Sequence, residues 1–313
     1  MNFSLMLQIK SLSYSIDATH QILHRINATF VPSEIYGIAG RSGAGKSSLL
    51  NILAGLLDQS EGEVLLQDQL LPRASQRLIP GHPGIALVAQ DYALDLFHTC
   101  EENIREVILN WEPRLRERRV KHLLNVFSLS HVKATKAKFL SGGEQQRLAI
   151  ARAIATKPSC LLLDEPFSHL DHVLKLRLIT LLLQLKETEH ICLVLVSHDA
   201  QDMLTICSKM AFLRQGKLST FFNPTERYYN LTNLQEARWF GEVNSIKWKG
   251  TNHRFRPNDF RVDPEGIPVS CERYLFNGTI FIHYFYTESR ELVILHSITK
   301  LPLTLKIRSN GFR

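Results

Sequence analysis

Short apolar runs alternate with polar, turn-favouring stretches along most of the chain. Strands are predicted where apolar and polar residues alternate, or where an apolar run ends at glycine or at polar residues. The strands predicted in this way are Leu7–Tyr14, Gln21–Phe30, Ile35–Ala39, Gly62–Leu66, Gly84–Ala89, Cys160–Leu163 and Ile191–Val196. The last two contain only apolar residues, which is typical of a parallel sheet covered on both faces.

Helical patterns separate these strands. One helix is predicted at about Ser48–Ala54, a helix-favouring region runs from about Glu101 to Thr156, and Val173–Glu187 carries leucines throughout. Within the long region, Arg114–Val120 is amphipathic, and we interpret its basic cluster as a solvated helix face rather than a binding patch. Alternation of strands and helices predicts an α/β fold.

The segment Gly40–Ser47 matches the phosphate-loop pattern G-x-x-x-x-G-K-[ST], and it lies between a predicted strand and a predicted helix. Glycines allow backbone N–H groups to surround a polyphosphate, and the following helix directs its positive end at the same anion. A lysine in this position reaches the β- and γ-phosphates, and the next hydroxyl binds Mg²⁺. Residues expected to contact the nucleotide are Gly40, Ser42, Gly43, Gly45, Lys46, Ser47 and Ser48. The alternative, a structural glycine turn, is disfavoured by the flanking strand and helix.

Other candidate residues follow apolar strands or begin helices. Asp164 and Glu165 come directly after an apolar strand, and His198 follows the next one. The carboxyl ends of parallel strands are where α/β sheets place their ligands, so a carboxylate there can hold Mg²⁺ or orient a water. Ser141–Gly143 begins a helical pattern and forms either a second anion-binding site or a simple helix cap.

Composition adds few constraints. The chain has 313 residues, of which 44% are hydrophobic, so one large or two ordinary domains are expected. A formal charge of +7 would suit nucleic acid or an anionic membrane, but the charged residues are spread along the chain. The five cysteines are scattered without a C-x-x-C pair, which favours a reducing cytoplasm over a disulfide framework or a zinc site.

No signal peptide is indicated by residues 1–6, and no apolar run approaches the length of a membrane span. We therefore expect any membrane role to depend on a partner protein.

The motifs resemble those of the ATP-binding-cassette (ABC) ATPases over roughly residues 5–235. They occur in the family's order: the phosphate loop, Gln90, Leu140–Arg147, Asp164-Glu165, Ser168–Asp171 and His198. The resemblance implies a P-loop NTPase fold with a helical subdomain, ATP and Mg²⁺ as cofactors, and ATP hydrolysis. In it, Tyr14 stacks on adenine, Gln90 senses Mg²⁺ and the attacking water, Asp164 assists the metal, Glu165 is the catalytic base and His198 contacts the γ-phosphate.

The same resemblance implies a dimer. Ser141, Gly142 and Gly143 would complete the nucleotide site of the opposite subunit, and Asp171 would lie at the dimer seam. ATP then joins two subunits head to tail, and its hydrolysis releases them. Because the chain carries one set of motifs, we expect an ATP-dependent homodimer in preference to a pair with a related chain.

The C-terminal region resembles, less specifically, the small β-barrel extension (TOBE-like, OB-like) of importer ATPases. The resemblance rests on Ala237–Asn244 and on Phe255–Asp259, with Asn258 in place of the usual acid; strands are predicted at Gly278–Tyr286, Glu291–Leu295 and Leu303–Ile307. The predicted domains are an ATPase domain over 1–235, with its helical subdomain at about 91–157, and an extension over 236–313. This type of extension favours iron(III), polyamine or sulfate importers over sugar importers.

The expected partners are transmembrane permease subunits and, indirectly, an extracytoplasmic solute-binding protein, with no nucleic acid. The protein would then lie peripherally at the cytoplasmic face of the cell membrane. Asp95–His98 departs from the usual permease-facing sequence after Gln90, which suggests a divergent permease, whereas His169 in place of a common alanine is interpreted as neutral.

Two alternatives to the importer remain. One is a soluble ABC ATPase that acts on ribosomes or nucleic acid, suggested by the basic charge and by barrel aromatics such as Tyr284. The other is a regulatory protein that binds ATP without hydrolysing it; an intact Glu165 and His198 argue against that.

Overall fold

The computed structural model describes residues 7–17, 19–168 and 170–310. The chain divides into two compact units at the bond between Pro224 and Thr225. His169 and the first six residues, considered above, lie outside the described residues. In the described part, no helix is both long enough and apolar enough to cross a membrane.

The strands and helices of the first unit alternate along the chain. Its strands are β1 (Leu7–Ser15), β2 (Gln21–Phe30), β3 (Ile35–Ala39), β4 (Glu61–Leu66), β5 (Gln69–Leu70), β6 (Ile85–Val88), β7 (Cys160–Asp164), β8 (Cys192–Ser197), β9 (Lys209–Arg214) and β10 (Lys217–Leu218). Its helices are α1 (Lys46–Leu53), α2 (Cys100–Glu106), α3 (Pro113–Val126), α4 (Gly142–Ala155), α5 (His172–Thr188) and α6 (Ala200–Ile206). The predicted strands are therefore present with small changes at their ends. The strands β5, β9 and β10 and the helix α6 were not predicted.

Two sheets make up this unit. The larger has the strand order β10-β9-β3-β8-β7-β6 and is parallel from β9 to β6. The smaller is antiparallel, in the order β2-β1-β4-β5. Helix α1 contributes Leu49, Leu50 and Leu53 to a buried core that both sheets share, and each such leucine contributes about 2 kcal/mol through burial.

The predicted helix-favouring region contains three separate α-helices, α2, α3 and α4. Each of them begins at its own N-cap residue. The Thr99 hydroxyl and the Glu102 carboxylate cap each other's backbone N–H groups at the start of α2. Glu112 caps α3 just before Pro113, a residue suited to the first helical turn. Arg119 of α3 is only 8% exposed, so the predicted solvated face does not extend to it.

The second unit is built mainly from antiparallel strands. Helices α7 (Pro224–Tyr229) and α8 (Leu234–Trp239) precede β11 (Asn244–Trp248), β12 (Thr251–Phe255), β13 (Phe260–Phe276), β14 (Phe281–Thr287), β15 (Leu292–Ser297) and β16 (Thr304–Ser309). The last four form a sheet in the order β15-β14-β13-β16, and β11 pairs with β12. Their inward-facing side chains form a separate core that includes Phe255, Phe285 and Ile307.

A buried arginine stabilises the second unit. Arg256 is 1% exposed, and its guanidinium donates to the backbone carbonyls of Tyr228, Gly241 and Glu242 at 2.8–3.2 Å. It also lies over the Tyr228 ring at 4.1 Å. This side chain therefore connects α7 and the end of α8 to the strands.

Candidate functional site

The phosphate loop lies between β3 and α1, as its sequence predicts. Gly43 and Gly45 have φ values of +77° and +94°, a region that glycine occupies without strain. Lys46 is buried, and its Nζ donates to the carbonyl oxygens of Gly40 at 2.9 Å and Arg41 at 3.2 Å. The loop's own carbonyls thus hold the ammonium group at the start of α1.

The antiparallel sheet covers one side of this loop. A Cβ at Gly45 would lie 2.7 Å from Ile22 Cγ2 and 2.8 Å from Leu23 Cδ2, so only glycine permits this approach. Leu23 pairs with Tyr14 of β1, and Tyr14 is half-buried against the same core. The structure therefore places the predicted adenine-stacking residue on the sheet that packs against the phosphate loop.

Other predicted residues lie at the carboxyl edge of the parallel sheet. Asp164 ends β7 and pairs with Val196 of β8, and Glu165 and His198 follow these neighbouring strands. Gln90 comes two residues after β6 and is exposed. Parallel pairing brings these strand ends to one edge, which explains why residues so distant in sequence meet there.

Glu165 occupies the centre of this group. Its Oε2 lies 3.0 Å from His198 Nδ1, and its Oε1 lies 3.9 Å from Lys46 Nζ. Its backbone N–H donates to the Val196 carbonyl at 3.1 Å, and its φ of +50° is left-handed. The Glu165 side chain is 14% exposed, so the carboxylate lies between a cation and an imidazole with limited access to water.

Asp164 and Ser47 form a small oxygen-rich site. Burial raises the pKa of the Asp164 carboxyl, although a hydrogen bond with the Ser47 side chain opposes the shift. Within the described ranges, no cluster of three or more His, Cys, Asp or Glu side chains could hold a metal alone. Mg²⁺ is usually held by one or two protein oxygens together with substrate phosphates, and one hydroxyl and one carboxylate fit that pattern.

The second predicted anion site begins α4. Ser141 donates through its backbone N–H and its hydroxyl to Glu144 Oε2, at 2.9 and 2.7 Å. Ser141 and Gly142 are exposed, whereas a Cβ at Gly143 would lie 2.9 Å from Leu174 Cδ1. As far as the chain is described, no hydrogen bond or ion pair joins Ser141–Gly143 to the phosphate loop or to Glu165. Asp171 is also exposed and caps α5 by accepting from Leu174 N at 2.9 Å.

Sequence reasoning missed one ion pair beside the site. Lys175 Nζ of α5 lies 2.7 Å from Asp202 Oδ1 of α6. Burial raises the pKa of Asp202, the Lys175 hydrogen bond opposes this, and the charges of Asp199 and Glu165 raise it slightly further. The pair thus joins the helix capped by Asp171 to the helix that follows His198. Only their positions one helical turn after Asp171 and His198 could have suggested it.

Comparison with known proteins agrees with this geometry. The sequence profile described as "ABC transporter" matches residues 23–168. The spermidine/putrescine import ATP-binding protein PotA of Vibrio cholerae is 34% identical, and the alignment covers 83% of this chain and 68% of PotA. The chain belongs to the ABC transporter ATP-binding proteins.

Two other relatives in this ABC family have different named solutes. The glucose import ATP-binding protein GlcV of Saccharolobus solfataricus is 35% identical over 74% of this chain and 66% of its own. The Fe(3+) ions import ATP-binding protein FbpC of Yersinia pestis is 35% identical over 71% of this chain and 64% of its own. The chain thus spans about two thirds of the length of the curated relatives it matches.

Solved structures show the same ABC ATPase fold. A dimeric ATP-binding cassette in a post-hydrolysis state, bound to ADP and Pi, is 27% identical with a TM-score of 0.62, and the match covers 70% of this chain and 99% of the cassette. The cbiO1 protein of Clostridium perfringens, part of an ABC transporter complex, has a TM-score of 0.66 at 23% identity, over 75% of this chain and 95% of its own. The second likeness concerns the fold alone.

Proposed function

We propose that the protein is the ATP-hydrolysing, energy-coupling subunit of an ABC importer. The observation that carries the proposal is the contact of Glu165 with His198 and its 3.9 Å approach to Lys46, at the edge of the sheet that bears the phosphate loop. A general base, a cation for the phosphates and a γ-phosphate contact are thereby adjacent.

Each residue then has a definite role in ATP binding. Gly40, Ser42, Gly43, Gly45 and Ser48 line the polyphosphate path, Lys46 compensates the β- and γ-phosphate charge, and Tyr14 supports the adenine. Ser47 and Asp164 would hold Mg²⁺, with Gln90 approaching it from the end of β6. When bound, the metal would neutralise the charge that develops on the phosphate oxygens.

Hydrolysis would rely on Glu165 to orient the attacking water and accept its proton. His198 fixes the carboxylate through the 3.0 Å contact and faces the γ-phosphate, and Gln90 contacts the same water. A base works only within hydrogen-bond reach of the proton it removes. The contact with His198 therefore serves to hold the Glu165 carboxylate in position.

The exposed start of α4 supports an ATP-dependent, head-to-tail homodimer. Ser141 and Gly142 lie open in the monomer, as a surface that completes a partner's nucleotide site requires. Asp171 would lie at the seam of that dimer. The solved cassette described above is dimeric, which supports the same arrangement.

A surface patch after Gln90 suits contact with a permease. Phe97 and Phe139 are 69% and 70% exposed, and Lys138 Nζ lies 5.2 and 4.7 Å from their ring centroids. Asn103, which is fully buried, holds the Asp95–Thr99 segment through the backbone of Asp95, His98 and Thr99. Exposed aromatic side chains beside a hydrogen-bonded segment are typical of a docking surface for another protein. Docking there would place the chain at the cytoplasmic face of the membrane.

The named solutes of the relatives are glucose, spermidine or putrescine, and Fe(3+). Small-solute import is therefore the proposal, and the preference for iron(III), polyamine or sulfate stays a prediction from the C-terminal extension at 236–313. A solute-binding protein outside the membrane would deliver the solute to the permease. The ribosome or nucleic-acid alternative is not favoured, because these relatives are all import subunits by name.

One trapping experiment tests this proposal. The Glu165→Gln variant, tagged in its native cell and supplied with ATP, is purified from detergent-solubilised membranes. We expect it to accumulate as a closed dimer together with a polytopic membrane protein in near-equal amount.

The exposed Glu187→Gln substitution provides the control, because it makes the same chemical change outside the site. Recovery of the trapped variant with ribosomes or nucleic acid, and without a membrane protein, would overturn the importer proposal.

A further inference from the structure

A cavity in the first unit, away from the nucleotide site, brings together three cationic side chains and a histidine. It has a volume of about 360 Å³ and is formed by Trp111, Leu115, Arg118, Arg119, His122 and Lys157. As far as the chain is described, its lining includes no carboxylate. We propose that this cavity binds the phosphate group of a phosphate monoester.

The helix α3 creates most of the site through its periodicity. Leu115, Arg118, Arg119 and His122 are three or four residues apart and therefore share one face of the helix. Lys157 approaches from beyond the carboxyl end of α4, and its Nζ lies 5.9 Å from the centre of the Trp111 ring. The cations thus come from helix α3 and from the segment just after helix α4, and they line one concavity.

Part of this charge has a structural explanation. Arg119 Nη1 donates to Glu189 Oε1 at 2.8 Å, and Nη2 donates to the Ile154 carbonyl at 2.7 Å. The carboxyl end of α4 also favours cations nearby, which accounts for Lys157 to some extent. One carboxylate and one helix end therefore balance about two of the positive groups.

Several nitrogen donors of the lining nevertheless have no acceptor or ion-pair partner in the described structure. The Nε of Arg119 is enclosed and has no hydrogen-bond acceptor in the described structure. Arg118 and His122 are exposed, and none of the ion pairs found among the described residues involves either of them. A bound anion would accept hydrogen bonds from these donors.

The number and type of donors favour phosphate over carboxylate. A phosphate monoester has up to two negative charges and three acceptor oxygens, which suits several donors that approach from different directions. Guanidinium groups bind phosphate through paired hydrogen bonds, and an ammonium group adds a point charge. Trp111 offers an aromatic surface for the organic part of the ester. A volume of about 360 Å³ admits a small ligand.

Binding is tested on the full chain with phenyl phosphate, by calorimetry in excess ADP so that the phosphate loop is filled. The Arg118→Gln/Lys157→Gln double variant is expected to bind at least tenfold more weakly than the parent. The matched control, Arg114→Gln/Lys121→Gln, removes the same charge from exposed positions of α3 outside the cavity. We expect its affinity to stay within twofold of the parent. Equal losses in both variants, or none in either, would overturn the proposal.

A second arm identifies the source of the phosphate group. Phosphatidylcholine vesicles with and without phosphatidic acid are sedimented with the parent and both double variants. Cavity-dependent binding to the acidic vesicles, displaced by phenyl phosphate, would identify a lipid headgroup; phenyl phosphate binding without vesicle binding would identify a soluble ester. ADP affinity, measured separately, reports on the phosphate loop, so this proposal and the importer proposal can fail independently.

Discussion

The two units of the chain use their buried polar residues differently. In the first unit, Lys46 and Glu165 lie 3.9 Å apart at the edge of a parallel sheet, where the proposed function places ATP. In the second, Arg256 is enclosed, and its guanidinium donates to backbone carbonyls of three residues. The comparison separates polar groups held for chemistry from polar groups held for architecture. Changes at Lys46 and Glu165 should alter affinity or turnover, and changes at Arg256 should alter stability.

The largest expected effect is on turnover. Glu165→Gln removes the proton acceptor but keeps the shape of the side chain, so the hydrolysis rate should fall by about 10²- to 10⁴-fold while ATP still binds. Steady-state phosphate release and equilibrium ATP binding measure the two quantities. Turnover near the parent rate would show that another group is the base.

Loss of the phosphate-loop lysine should mainly affect affinity. Lys46→Ala removes the charge that faces the phosphates, so ATP should bind about 100-fold more weakly. Isothermal titration gives the dissociation constant, with the exposed Lys10→Ala as the matched control. If both variants bound ATP like the parent, the phosphate-loop assignment would fail.

The second unit should respond in stability alone. Arg256→Met removes a buried guanidinium together with its hydrogen bonds to the carbonyls of three residues, so the unit should lose about 3 kcal/mol. Hydrogen exchange in β13–β16 reports this loss, and ATP affinity should be unchanged. Arg261→Met, at an exposed position on β13, is the control. A fall in ATP affinity that matched the fall in stability would contradict the separation of roles.

The smallest expected effect belongs to the ion pair between α5 and α6. Asp202→Asn leaves Lys175 without its partner in a half-enclosed position and should cost about 2 kcal/mol of stability. Exchange of the two residues, Lys175→Asp with Asp202→Lys, should restore part of that loss. A double-mutant cycle from thermal unfolding measures the coupling, and additive single effects would show that the pair does not interact.

Much of the first unit could be predicted from sequence because phosphate chemistry restricts residue choice. A glycine-rich turn before a lysine, and carboxylates after an apolar strand, are local signals with a direct physical cause. The strands of the second unit require only that apolar residues alternate with others, which is a weaker sequence signal. The 17-residue β13 was not predicted as a strand, and the strand predicted from Gly278 begins at Phe281, because Asn277 Oδ1 accepts from Thr279 N and Ile280 N in a turn.

Interactions between distant residues were not predictable in this way. The basic stretch of α3 was interpreted from sequence as a solvated face. That interpretation is wrong for Arg119, because this residue pairs with Glu189, which lies 70 residues away in the chain. The Lys175–Asp202 pair likewise depends on how two helices pack. Local sequence patterns indicate which residues face the interior, but they do not indicate which distant side chain each of these residues contacts.

The left-handed backbone conformation of Glu165 lowers the stability of the fold at a residue that the proposed catalysis requires. A residue with a long side chain at a φ of +50° is strained by about 1 kcal/mol, a strain that glycine would avoid and asparagine would reduce. Selection for a more heat-resistant protein would therefore favour replacing this glutamate, and selection for transport would oppose it. The residue that we propose as the catalytic base is thus also a point at which this chain is less stable than its fold allows.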